Sequence, residues 1–184
     1  LEEDEFEEYL SISSQISKLS FGGEKLDNPS LTSLLMKRSR LLGGARGKII
    51  KLRETLRNAN PEAHTLFYCG DGMVEDNSSK NGESRQIEVV TKIASENGFV
   101  PSRFTADENL KQRRHILEGF KDGSIKSLVA IKCLDEGIDI PACKTAFILA
   151  SSANPRQFVQ RRGRILRKSE GKDIARIYDF IVYA

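Results

Sequence analysis

The sequence is poor in residues that bind transition metals or form disulfide frameworks. Cysteine occurs three times, as Cys69, Cys133 and Cys143, and histidine twice, as His64 and His115. The cysteines are odd in number and widely separated, and none has the short spacing of zinc ligands. We therefore expect no metal site, with the thiols and His115 serving structural or incidental roles in a reducing compartment.

Long apolar runs are also absent. No stretch approaches the ~20 apolar residues that a membrane-spanning helix needs. The N-terminus lacks the basic start and apolar core of a secretory signal. We expect a soluble, cytoplasmic protein with no membrane partner. Because Leu1 is not a native start, we also expect the chain to be a piece of a larger protein.

A nucleotide-binding P-loop is missing as well. The stretch Gly43–Lys48, Gly-Gly-Ala-Arg-Gly-Lys, looks like one, but that motif needs four residues between its glycines and a serine or threonine after the lysine. Here three residues separate Gly43 from Gly47, and Ile49 follows the lysine. The stretch is predicted to be helical instead, and the chain alone is not expected to bind and hydrolyse a nucleotide by that route.

Charge is distributed unevenly along an otherwise ordinary globular composition. Hydrophobic residues make up 39% of the 184 residues and charged residues 30%, which is ordinary for a soluble globular protein. From the length we expect one domain with an added arm. Six of the first ten residues are acidic, so the net charge of +3 becomes about +9 once those six negative charges are set aside. The basic excess is concentrated around residues 160–168 and favours a polyanionic partner.

Short apolar runs alternate with stretches of helical periodicity. Helices are predicted over Leu1–Lys18, in one or two pieces over Leu31–Asn60, from Ile87 to Asn97-Gly98, from a cap at Thr105 or Asp107 to Lys121 with Leu110 inward, and from Asn154-Pro155 onward. Strands are predicted at Thr65–Cys69, Phe99–Phe104, Ser127–Ile131, Thr145–Leu149 and Ala175–Val182. Residues 75–83 are predicted to be a polar, mobile excursion. The alternation implies a largely parallel α/β sheet, in a domain at 61–184 that follows a helical arm at 1–60.

The most informative stretch is Gln160–Arg167, Gln-Arg-Arg-Gly-Arg-Ile-Leu-Arg. On a helix, one side would present Gln160, Gly163, Arg164 and Arg167, and the other side would pack through Phe158, Val159, Ile165 and Leu166. Two guanidinium groups one turn apart can contact one polyanion from the same direction, and the glycine between them lets another surface approach. A basic helix face taken alone is more often simply solvated.

Arg162 departs from this pattern because it falls in the middle of the side assigned to packing. Its stem can lie along apolar surface with the charge in solvent. Alternatively, it can face another domain or a nucleic acid. The sequence leaves these alternatives open.

A second stretch makes the first far more specific. Cys133–Pro141, Cys-Leu-Asp-Glu-Gly-Ile-Asp-Ile-Pro, follows the predicted strand Ser127–Ile131, so its acids and glycine lie at the carboxyl edge, where open α/β sheets bind ligands. Residues 135–141 resemble motif V of superfamily 2 helicases, and Gln-x-x-Gly-Arg-x-x-Arg at 160–167 resembles motif VI. Thr65–Cys69 matches the position of motif IV. The segment 108–131 is similar to the one before motif V in XPB-like and restriction-enzyme-like members, and the resemblance covers the chain from about Leu31 to its end.

The resemblance implies a second RecA-like domain with three layers, a mostly parallel sheet between flanking helices. Its partners would be a nucleic acid, expected to be DNA, and the N-terminal RecA-like domain of the same protein, which would hold most of the ATP and Mg²⁺. By this analogy the catalytic residues are Arg164, Arg167 and Gln160, the nucleotide lies beside Gly137, Asp139 and Gly163, and the nucleic-acid backbone is contacted by Gly70, Thr105, Lys132 and Cys133. Thr105 as a helix cap, Lys132 as a solvated side chain and Cys133 as a structural thiol are plainer readings of the same residues.

Two other functions fit parts of the sequence. A nucleic-acid-binding module could keep the helicase-like fold without its chemistry. A flavodoxin-like regulatory domain that binds a small ligand is disfavoured, because no phosphate-binding glycine loop follows the first strand and the basic motif at 160–167 would have no role.

Overall fold

The computed structural model describes residues 1–21, 28–76, 78–131, 140, 142–150, 155–169 and 171–183, without the side chains of Phe21, residues 155–158 and Arg161. Six helices and seven strands are formed by these residues. The helices are α1 (Glu3–Phe21), α2 (Pro29–Gly44), α3 (Arg46–Arg57), α4 (Gln86–Glu96), α5 (Leu110–Asp122) and α6 (Pro155–Ile165). The strands are β1 (Thr65–Cys69), β2 (Met73–Glu75), β3 (Glu83–Arg85), β4 (Pro101–Phe104), β5 (Ser127–Ile131), β6 (Thr145–Ile148) and β7 (Arg176–Asp179).

Five of the strands form one parallel sheet in the order β4-β5-β1-β6-β7. The register places Thr65 opposite both Ser127 and Thr145, and Thr145 opposite Arg176. Every neighbouring pair in this sheet is parallel, so the carboxyl ends of all five strands meet at one edge. The predicted parallel α/β sheet is confirmed, although β7 is shorter than the predicted strand at 175–182.

Helices cover both faces of this sheet, which explains why its strands read as continuous apolar runs. One face packs Phe67, Val129 and Phe147 against α3 and α4. The opposite face packs Leu66, Leu128 and Ala146 against α5 and α6, with other members Phe120 and Ile165. The result is the three-layer arrangement that the resemblance implied.

The N-terminal segment is helical, as predicted. Helices α1 and α2 share a small cluster of Ile12, Ile16 and Leu31, whereas α3 contributes to the core beneath the sheet. Gly43–Lys48 is helical rather than a P-loop, with a break at Ala45 between α2 and α3. The division at residue 60 stays a prediction.

The polar stretch predicted at 75–83 connects β2 and β3, which form an antiparallel hairpin that the sequence did not predict. Each strand has three residues, too few for alternation to stand out. Asp76 organises the turn by accepting hydrogen bonds from the Ser78 amide at 3.0 Å and the Ser84 hydroxyl at 2.8 Å. Together with a bond from the Ser78 hydroxyl, which has the largest effect, they lower the pKa of Asp76 to about 2.

Helix α5 begins later than predicted. Asn109, not Thr105 or Asp107, is its N-cap, and with Gln112 it forms a reciprocal capping box. Leu110 is 86% exposed, so its assignment to the inward side is wrong. Gly123 ends the helix with a left-handed φ of 85°, a conformation that glycine adopts without steric cost.

Candidate functional site

The loop after β1 carries Gly70 at the carboxyl edge of the sheet. The Gly70 amide donates to Gln86 Oε1 at 2.6 Å, and Gln86 Nε2 donates to the Gly43 carbonyl at 2.9 Å. A Cβ at Gly70 would come within 3.3 Å of the same Gln86 oxygen. Gln86 is 1% exposed, so its buried amide uses both ends to hold this loop against the end of α2. Sequence reasoning missed Gln86, since a single glutamine carries no signal by type or spacing.

Thr105 lies at the same edge, at the end of β4. Its amide and hydroxyl donate to Glu108 Oε2 at 2.6 and 2.9 Å, and its hydroxyl accepts from the Asp107 amide at 3.1 Å. Arg113 donates to the Thr105 carbonyl at 2.8 Å and lies over the Phe104 ring. Thr105 is therefore buried and bonded within its own loop, and it is not the cap of α5.

The motif V segment falls mostly outside the described residues. Lys132, Cys133, Gly137 and Asp139 all lie in the range 132–139, so their predicted contacts with the nucleotide and nucleic acid stay predictions. The strand before it, β5, ends at Ile131 on the carboxyl edge. Ile140, the one described residue of the segment, is buried in the core together with residues of α5 and α6.

Helix α6 presents part of the basic face that the sequence predicts. Gln160 is exposed, Arg164 is half-buried and Ile165 is fully buried on another side. Val159 and Leu166 are 66% and 55% exposed, so the prediction that they pack into the core is wrong. Phe158 has no described side chain. Two apolar side chains consequently lie at the surface beside the basic face.

Arg167 lies just beyond the helix, which ends at Ile165, earlier than predicted. Lys172 donates to the carbonyl oxygens of both Ile165 and Arg167, the latter at 2.9 Å. A cation on these carbonyls satisfies acceptors that the helix end leaves open. The chain segment after the helix therefore fixes the backbone at Arg167, whose side chain is exposed.

Arg162 has a partner within its own domain. Its Nη2 donates to Asp179 Oδ2 at 2.5 Å, and Asp179 is the last residue of β7. The side chains of Arg162 and Asp179 are 23% and 9% exposed. Arg162 therefore faces the sheet of its own domain, an arrangement that the alternatives left open by the sequence did not include.

A buried lysine approaches the same carboxylate from the other layer. Lys48 of α3 is 5% exposed, and its Nζ donates to the Leu149 carbonyl at 2.6 Å. Burial lowers the pKa of Lys48 to about 8, and the Asp179 carboxylate opposes that shift by raising it. Sequence reasoning used Lys48 only to dismiss a P-loop and missed this contact, because Leu149 and Asp179 are distant in the chain.

The described part of the chain contains neither a metal-binding cluster nor a membrane-spanning helix. No cluster of three or more histidine, cysteine, aspartate or glutamate residues there could hold a metal ion. No helix there is both long and apolar enough to cross a membrane.

Residues 48–169 match the helicase conserved C-terminal domain, a match that includes α3, the carboxyl-edge loops and α6. The chain belongs to this helicase family. It is a superfamily 2 helicase C-terminal domain with the RecA-like fold, as the motifs at 135–141 and 160–167 indicated.

Similar proteins agree with this assignment. The helicase C-terminal domain is 30% identical over 126 residues to the DNA 3'-5' translocase XPB2 of Sulfurisphaera tokodaii, an alignment that covers 68% of the chain but 25% of the translocase. The chain therefore spans about a quarter of that relative. Its fold resembles the C-terminal domain of the DEAD-box protein Dbp5, with a TM-score of 0.52 at 20% identity, over 76% of the chain and 73% of the Dbp5 domain. It also resembles the RNA-helicase Prp28 of Chaetomium thermophilum, with a TM-score of 0.52 at 18% identity, over 73% of the chain and 30% of Prp28.

Proposed function

We propose that the chain is the C-terminal motor domain of an ATP-dependent helicase or translocase that acts on DNA. In the whole protein it supplies Arg164, Arg167 and Gln160 to an ATP site shared with an N-terminal RecA-like domain. That first domain makes most of the contacts with ATP and its Mg²⁺. The family match over 48–169, with a basic face on α6 turned away from the sheet, is the observation that carries this proposal.

The surface around α6 supports a partner domain on this side. The buried Ile165 and the inward ion pair of Arg162 attach the helix to its own sheet, so Gln160 and Arg164 lie on the side turned away from it. The exposed Val159 and Leu166 flank that face, and apolar side chains beside charged ones are typical of a surface that another domain covers.

The chemistry required of the arginines is charge stabilisation. Negative charge spreads over the oxygens of the transferring phosphoryl group, and guanidinium groups stabilise it when they are positioned beforehand. Such an arginine contributes ~10³ to 10⁵ in rate, equal to ~4 to 7 kcal/mol of barrier. Gln160 donates a hydrogen bond across the cleft, and Gly163 lets the facing surface approach. Gly137 lies beside the nucleotide with Asp139, whose carboxylate suits a ribose hydroxyl or a water. Hydrolysis of ATP, a phosphoryl transfer to water, provides the free energy that drives movement.

The nucleic acid lies along the carboxyl edge. Gly70 and Thr105 belong to loops that are held by hydrogen bonds. Gln86 bonds the first loop, and Glu108 and Arg113 bond the second. Loops held in place in this way can bind the phosphates of a nucleic-acid backbone in fixed positions. Lys132 and Cys133 come directly after β5 in the sequence. Contacts of this kind position a strand without reading its bases. The similarity to a DNA translocase supports DNA as the substrate. Closure and reopening of the two domains during each ATP cycle move these loops along the backbone.

Removing Arg167 in the full-length protein tests the proposal. Arg167→Ala should lower nucleic-acid-stimulated ATP turnover about 10³-fold or more while ATP binding changes only a few-fold. Lys168→Ala removes the neighbouring exposed charge and should leave turnover nearly unchanged. Turnover is measured by phosphate release, and binding by a fluorescent nucleotide analogue. Unchanged turnover in Arg167→Ala would remove the role assigned to this residue.

A further inference from the structure

Asp179 forms an ion pair with a cation of one helical layer. Arg162 reaches it from α6, with Nη2 at 2.5 Å from Oδ2. Lys48 belongs to α3, whose apolar residues pack on the other face of the sheet, and its charge interacts with Asp179. Nothing in the sequence motifs assigns a role to this carboxylate.

Two described side chains of α6, Ile165 and Arg162, face its own domain. Ile165 is fully buried, while Val159 is exposed to solvent. An apolar contact is non-directional, so it constrains rotation about the helix axis less than an ion pair of fixed geometry does. The Arg162–Asp179 pair supplies a second anchor, on a strand rather than a loop.

The position of this anchor determines which side chains face outward. Arg162 is two residues from both Gln160 and Arg164, which at 3.6 residues per turn places it about 200° away from each. Holding Arg162 against β7 therefore turns Gln160 and Arg164 away from the sheet. A helix rotated by one residue would carry them out of line with any ligand in front of it.

Lys48 strengthens the same arrangement from behind. Its ammonium donates to the Leu149 carbonyl, directly after β6 and a few residues before α6 begins. It thus holds the chain at the end of β6, and its charge interacts with Asp179. The Asp179 carboxylate itself connects the end of β7 to α6 through Arg162.

We propose that Asp179 is a positioning residue that fixes the rotation of α6, so that Gln160 and Arg164 are presented toward the shared ATP site. Its expected effect on turnover rests on the function proposed above. Its effect on the helix itself does not.

The test uses the full-length protein and four variants. In Asp179→Asn and Arg162→Met, kcat for stimulated ATP hydrolysis should fall about 10- to 100-fold, as for misplacement of catalytic groups, with KM for ATP changed less than about threefold. The double variant should be no worse than the poorer single variant, because both substitutions break one contact. Arg162→Lys keeps length and charge and should retain most of the turnover.

Glu62→Gln is the matched control. It also converts a carboxylate to an amide and breaks an ion pair to β7, that of Glu62 with Arg176 at 3.1 Å, but this pair does not involve α6. Its kcat should stay within about twofold of the parent. Hydrogen exchange of the amides at 159–167 should accelerate in Asp179→Asn and not in Glu62→Gln.

The outcomes separate the two proposals. A parent protein without stimulated ATPase would overturn the proposed function, and hydrogen exchange would still decide the positioning role. Unchanged kcat and unchanged exchange in folded Asp179→Asn would overturn the positioning role. A uniform loss of melting temperature with normal kcat would overturn it too, since that is the result of a merely structural contact. If Asp179→Asn does not fold, Arg162→Met against Arg162→Lys provides the same comparison.

Discussion

Lys48 is a buried amine on the first turn of α3. Its Nζ donates to the Leu149 carbonyl, and its charge interacts with the carboxylate of Asp179, the ion-pair partner of Arg162. Burial brings the pKa of Lys48 down to about 8, although Asp179 acts in the opposite direction. Because the folded pKa lies below the usual value of 10.5, protonated Lys48 lowers stability, and this cost disappears as the amine loses its proton.

This residue should give the protein a measurable pH dependence of stability. Between pH 8 and 10.5 the unfolded state binds the Lys48 proton and the folded state does not, so its contribution to the free energy of unfolding rises with pH. The full change is on the order of 3 kcal/mol. Urea denaturation followed by circular dichroism should show this rise in the parent relative to Lys48→Met. Lys51→Met, which removes an exposed lysine of α3, should leave the pH dependence of the parent intact. Parallel curves for the parent and Lys48→Met would contradict the prediction.

Helix α5 illustrates how local chemistry sets the limits of an element. The side chain of its N-cap, Asn109, accepts hydrogen bonds from the amides of Lys111 and Gln112 at 3.1 and 3.0 Å. The Gln112 side chain in turn accepts a hydrogen bond from the Asn109 amide. The earlier residues Thr105 and Asp107 belong to the loop bonded to Glu108. The helix therefore starts after the loop that contains Thr105, a proposed nucleic-acid contact. Arg113 of the helix donates a hydrogen bond to the Thr105 carbonyl of that loop.

Loss of this cap should destabilise the domain. Asn109→Ala removes an acceptor for two orphan amides and should lower the free energy of unfolding by about 1 kcal/mol. Asp107→Ala changes an exposed side chain outside the helix and should be nearly neutral. Thermal or urea unfolding of both variants provides the comparison. Equal losses would mean that Asn109 does not act as the cap.

At the scale of the whole molecule, two features bear on what the isolated chain can do: its net charge and its match to a single C-terminal domain. The acidic start belongs to α1, where Asp4 and Glu5 pair with Arg46 at the beginning of α3. Beyond it the net charge is about +9, once six negative charges are set aside from +3. The family match covers a C-terminal domain, and the proposed ATP site needs residues from another domain.

The isolated chain should accordingly bind nucleic acid weakly. It should not hydrolyse ATP by itself. Because its contacts are to phosphates, binding should weaken steeply between 50 and 200 mM salt, in proportion to the number of counterions released. Fluorescence anisotropy with labelled DNA and RNA over this salt range measures the affinity and its slope. Binding that does not respond to salt would contradict phosphate contacts. Robust ATP hydrolysis by this chain would contradict an ATP site that is completed by another domain.

Much of the fold follows from local patterns in the sequence. Apolar runs such as Thr65–Cys69 and Ser127–Ile131 predict buried parallel strands because side chains on both faces must be covered. The hairpin at 73–85 and the start of α5 were missed, since three-residue strands and competing caps give weak signals. The basic side chains at 160–167 were recognised, but the roles assigned to them stay predictions.

The sequence by itself determined the order of helices and strands, the parallel sheet and the family, because these depend on periodicity and short motifs within a few neighbouring residues. Tertiary structure alone decided the partners of the buried polar groups. Arg162 meets Asp179, Lys48 meets Leu149 and Gln86 holds Gly70 because the sheet order and the two helical layers bring distant positions together. A charge or amide buried by folding must find a partner wherever the packed chain places one, and no spacing in the sequence specifies which residue that is.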